Sequence, residues 1–173
     1  MIVDALKAAV LLFLAVLLQL SFLDLYTPFG GTADIVLVLL ISIALLRGSI
    51  FGALAGFYAG YLVDTADLGV LGFTSLLLTL AAFWTGRYGE TTARDRFHAP
   101  FIAVAVITVL YGIGSLALHF FLGQPAPAGA YLSGLPATVF LNLVLTWPIY
   151  AFARRLFPPV DALDRVHEVR LLG

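Results

Sequence analysis

The stretch RGSIFGALAGFYAGYLVD, Arg47 to Asp64, carries glycine at 48, 52, 56 and 60, and one further step of four lands on Asp64. Its first three residues decide the fold. If the chain ran straight through Arg47-Gly48-Ser49, residues 34–63 would form one long apolar helix. If it turns there, two short apolar blocks follow one another, 34–46 and 50–63. Fourteen helical residues reach only about 21 Å against a hydrocarbon core of about 30 Å, so length does not choose. Charge does. A continuous helix would strand Arg47 in mid-membrane, a costly place for a cation. A turn brings it to an interface.

The wider composition supports that frame. Of 173 residues 62% are apolar and 11% charged, against about 45–50% and roughly 25% in soluble domains. The apolar residues come in blocks such as AAVLLFLAVLLQL without the alternation of a membrane barrel. An all-α integral membrane protein follows, a single domain over 1–173 with apolar blocks at 5–23, 34–46, 50–63, 70–86, 99–122 and 132–157. The first block lacks a small-x-small cleavage site and reads as a retained span. TPFGG, DTADLG, RYGETTARDRFHAP and GQPAPAG punctuate the blocks, and a short tail occupies 158–173. With no cysteine there is neither disulfide nor thiolate metal site.

Six spans with both termini in the cytoplasm place Lys7, Arg47, Arg87, Arg94, Arg96, Arg154, Arg155, Arg165 and Arg170 on the inner side. These are all the basic side chains of the chain, as the positive-inside rule asks. The outer side holds acids: Asp24, Asp34, Asp64 and Asp67. Asp34 suits the cap of the second span, where a carboxylate meets free N–H groups and the positive helix end. The alternative is a ligand or partner contact at an acidic mouth. Asp64 is expected at the outer interface.

The glycine ladder Gly48, Gly52, Gly56 and Gly60 makes three overlapping G-x-x-x-G pairs, which let helix backbones approach closely in lipid. It serves either packing within the bundle or contact with another protein. Asn142, within TVFLNLVLTWP, is the main polar residue in the interior of the last span and should hydrogen-bond across helices. Pro148 should kink that span, while Pro136 lies near its start.

The run from Thr32 to Glu90 resembles the signature region of the rod shape-determining protein MreD family. Asp34, Arg47, Gly48, Gly52, Gly56, Phe57, Gly60, Asp64, Leu71, Gly72 and Leu76 take the positions of that pattern, while Ala33 stands where the family usually has proline. The resemblance implies a non-enzymatic inner-membrane subunit of the bacterial elongation machinery. It would bind the single-pass protein MreC and, through it, the actin-like MreB. The same complex holds RodA and a class B penicillin-binding protein, and supports lateral peptidoglycan synthesis. It also implies a six-helix bundle similar to the S-components of energy-coupling-factor transporters. From that likeness comes the alternative reading, a substrate-capture subunit with an outward pocket near Asp34, Asp64 and Asp67.

Other chemistries find little in the sequence. Ser115 and His119 lie four residues apart on one helix, and a third orienting group is lacking. The three histidines have no metal-ligand spacing. There is no phosphate-loop motif and no basic patch dense enough for nucleic acid. No cofactor is expected.

Overall fold

A computed structural model describes residues 2–23, 31–66, 71–91, 98–121, 123 and 128–157. Among the described residues there are six α-helices and no strand. The helices are α1 (Ile2–Leu18, continued by a π-helical turn Gln19–Leu23), α2 (Ile35–Arg47), α3 (Ser49–Ala66), α4 (Phe73–Thr91), α5 (Ala99–Phe121) and α6 (Ala128–Leu156). Three segments are long and apolar enough to cross a membrane: Ile2–Ser21, Ala99–Phe121 and Leu132–Leu156.

The chain does turn at Arg47-Gly48-Ser49. Gly48 adopts φ +93°, a conformation that ends α2 and starts α3 one residue later. Side-chain contacts then fix the direction of each helix. Asp4 of α1 meets Arg47 at the end of α2, and Ser49 at the start of α3 meets Glu90 at the end of α4. Phe157, just past α6, lies under Arg47. Gln19 of α1 meets Val36 at the start of α2, and Asp64 of α3 meets the first turn of α4. Successive helices therefore alternate in direction. Lys7, Arg47, Arg87, Arg154 and Arg155, the Lys and Arg residues among those described, all lie toward one end.

α2 is the axis of the bundle. Every residue from Val36 to Leu46 is buried, and α2 touches all five other helices. The outer helices show the reverse pattern. Phe13, Leu54, Leu110, Phe140 and Trp147 stand exposed along them, an apolar exterior suited to hydrocarbon.

Two elements depart from the expected boundaries. α4 extends to Thr91, so Arg87 to Glu90 belong to a helix and not to a charged loop. The cause is packing, because Gly89 lies against the backbone of Leu45 and Glu90 reaches Ser49. α6 passes through Pro136 and Pro148 as one 29-residue helix.

Candidate functional site

The residues singled out by the sequence converge on the α2–α3–α4 core. α4 fills the glycine ladder. A Cβ added at Gly52 would stand 2.9 Å from the carbonyl oxygen of Ala82, and one at Gly56 or Gly60 would run into the backbone of Leu78 or Ser75. The contact is reciprocal, since a Cβ at Gly86 would lie 2.5 Å from Ser49 Cα; one at Gly89 would lie 2.8 Å from Leu45 O of α2. Backbone cannot move aside as a side chain can, so the small residues set the distance between α3 and α4. Buried Ala82 belongs to the same contact.

Each of these two helices caps the other. Asp64, 4% exposed near the end of α3, accepts three backbone N–H bonds from the start of α4. Gly72 and Ser75 donate to Oδ2 at 2.9 and 3.2 Å, and Thr74 donates to Oδ1 at 2.9 Å. The expectation placed Asp64 at the outer end of the ladder, and its carboxylate turns inward there. The carboxylate is inside the protein, held where four N–H groups of a helix start need acceptors. At the opposite end Glu90 Oε1 accepts from the Ser49 N–H at 2.7 Å and the Ser49 hydroxyl at 2.9 Å. These two bonds, with Arg87 beside Oε2 at 3.3 Å, hold the Glu90 carboxyl below the usual carboxylate range against the opposing effect of partial burial.

The start of α2 is held by side chains of α1 and α6 as well as by its own cap. Thirteen residues give α2 about 20 Å, roughly two-thirds of a hydrocarbon core. Side chains satisfy the first N–H groups of α2. Asp34 Oδ1 accepts from the Leu37 N–H at 2.8 Å, and Gln19 Oε1 from Val36 at 3.0 Å. Asn142, fully buried, accepts from the Asp34 N–H at 2.8 Å and donates to Thr108 Oγ1 at 3.1 Å. Thr138 Oγ1 accepts from Thr32 at 3.1 Å. Asn142 thus ties α6 to α5 and to the entry of α2. The π-helical turn begins at Gln19, one of these acceptors.

Arg47 is nine-tenths buried at the other end of α2, the negative end of that helix. Its Nη2 pairs with Asp4 at 2.7 Å, its guanidinium lies 5.8 Å from the Phe157 ring centre, and its Nε makes no hydrogen bond. Arg87, Arg154 and Arg155 are more open on the same end. Asp67, Arg94 and Arg96 lie outside the described residues, as do Asp24, Arg165 and Arg170.

His119 Nδ1 bonds the Ser115 carbonyl at 2.8 Å and its ring packs edge-on against Phe73. Among the described residues no group of three or more His, Asp or Glu side chains could hold a metal. Two apolar grooves open on the exterior, between α1 and α3 and between α4 and α5. Compared with known proteins, the chain matches no family model, no curated protein and no solved structure.

Proposed function

We propose that this chain is a non-enzymatic membrane subunit of the MreD type in the bacterial cell-elongation complex. In this reading it crosses the inner membrane six times, with the basic end and both termini in the cytoplasm. It binds MreC, works beside RodA and a class B penicillin-binding protein, and reaches MreB indirectly, supporting lateral peptidoglycan synthesis and rod shape. One observation carries the reading. Six residues of the MreD-like pattern build a single unit: Asp34 caps α2, Gly48 breaks it from α3, Gly52, Gly56 and Gly60 seat α4, and Asp64 caps α4.

A bundle similar to an S-component belongs to the same reading. Substrate capture is less supported. A ligand pocket needs several converging polar groups, whereas the carboxylates of Asp34 and Asp64 are both engaged with backbone N–H groups.

The test is purification of the tagged chain from its native membrane in mild detergent, with partners identified by mass spectrometry. Recovery of MreC or the wall-synthesis enzymes is expected. Recovery of a transporter ATPase, or of the chain alone carrying a small molecule, would overturn the assignment.

A further inference from the structure

Among the described Lys and Arg residues, Arg47 alone is enclosed; Lys7, Arg87, Arg154 and Arg155 are exposed. Two groups meet its guanidinium, Asp4 of α1 at 2.7 Å and the Phe157 ring at 5.8 Å, while the buried Nε finds no acceptor. A sealed, unpaired donor destabilises the arrangement that seals it. The two covers are held unequally. Phe157 is fully buried within the core. Asp4 rides on α1, which packs chiefly on α2 and α3 and buries only Ala8, Leu12, Ala15 and Val16 along its 17 residues. The fit of α1 on α3 is open, with a groove of about 340 Å³ lined by Ala5 and Ala9 on one side and Phe51 and Ala55 on the other.

The opposite end of α1 is pinned and irregular. Gln19 accepts from the Val36 N–H at 3.0 Å, and the helix changes there from α to π winding over Gln19–Leu23. A π turn gives up the regular i→i−4 ladder, and helices bend where that ladder is interrupted. At 1.5 Å per residue, Asp4 and Gln19 stand about 22 Å apart along the axis. A tilt of about 10° at Gln19 therefore carries the first turn about 4 Å, further than the Asp4–Arg47 contact can follow, and moves Leu17 very little.

We infer that α1 is a hinged strap, pivoting at the π turn and latched by the Asp4–Arg47 pair. Closed, it covers Arg47 and leaves Nε unpaired. Open, it lets water reach the guanidinium and supply that acceptor, while giving up the shallow α1 contacts. These opposed effects keep the open form within reach of the closed one. The strap belongs to the chain by itself and requires no partner, so it does not depend on the function proposed above.

Distances between paired spin labels test the strap. The chain has no cysteine, so two introduced cysteines carry the labels in full-length protein in lipid nanodiscs. Leu6→Cys with Leu110→Cys reports the latched end of α1 against α5. Leu17→Cys with Leu110→Cys reports the pivot, and Phe57→Cys with Leu110→Cys the position of α3; all four side chains are exposed. The first pair should give a dominant short distance and a minor longer one. Asp4→Asn should enlarge the longer component at least roughly tenfold, because an enclosed guanidinium without its carboxylate is left uncompensated. The Leu17 and Phe57 pairs should not change, and Asp4→Glu, which keeps a carboxylate, should stay closed. A first-pair distribution indifferent to Asp4→Asn overturns the inference. Equal lengthening at Leu17 overturns the hinge, because α1 then leaves as a whole. Lengthening of the Phe57 pair overturns the strap, because the bundle itself then loosens. Opening in Asp4→Glu as large as in Asp4→Asn overturns the latch.

Discussion

Asp64 combines two roles that the sequence suggests separately, a carboxylate at the end of a glycine ladder and a helix cap. It serves α4, eight to eleven residues downstream. Asp64→Ala would leave three N–H groups without their acceptor, one of them the buried amide of Ser75. A loss of about 2–3 kcal/mol is expected, above the usual cost of an exposed cap. Thermal melting in detergent would measure it, with Asp64→Asn falling between the two. Glu90 gives the protein a response to pH. Because Ser49 lowers its carboxyl from the ordinary value near 4.5, its contribution is intact above that value. It fades as pH falls through the lowered value, where the folded protein must also take up the proton. The wild-type midpoint should therefore drop below about pH 4.5 more steeply than that of Glu90→Gln, whose neutral amide does not titrate.

At the scale of elements, α3 and α4 behave as one object. Gly56→Leu would drive a side chain into the carbonyl of Leu78, where only separation of the helices relieves the clash. Overpacking of this kind typically costs 1–3 kcal/mol, roughly. The expected result is a lowered midpoint, and a variant that melts like wild type would show that the pair is looser than its backbone contacts imply. The ladder itself was legible in the sequence, because spacing alone puts Gly48, Gly52, Gly56 and Gly60 on one winding stripe. What fills it was not. Gly86 and Gly89 sit three apart within TGRYGE, and the charges from Arg87 onward read as a loop. Only the fold shows that Gly89 faces Leu45 and Glu90 faces Ser49. Partners 41 residues apart leave no local trace.

The whole molecule is organised around a helix too short to cross a bilayer by itself. Block boundaries and the break at Gly48 could be read from apolar runs and one costly arginine. The depth of α2 could not, since it depends on Gln19, Asn142 and Thr138 arriving from distant helices. Asn142 could be picked out as a cross-helix residue, but nothing in TVFLNLVLTWP names Thr108 or Asp34 as its partners. The six-span topology has a direct test. Because the chain holds no cysteine, single cysteines at Arg155 and Gly123 report without background. With a membrane-impermeant thiol reagent on intact cells, Gly123→Cys should label and Arg155→Cys should label only after lysis. The opposite pattern would invert the orientation, and equal labelling would refute an odd number of crossings between them.

The reciprocal capping of α3 and α4 bears on how the chain enters the membrane. While α3 emerges alone from the ribosome, the Ser49 amide and the Asp64 carboxylate have no protein partners, because Glu90 and the start of α4 are still to be synthesised. Both debts are settled together once the second helix arrives. The pair is therefore suited to leave the translocon as a hairpin, held in its aqueous channel until residue 90 has been made. A nascent chain arrested before that point should crosslink from α3 to the translocon, and one arrested well after it should crosslink from α3 to lipid or to its own helices.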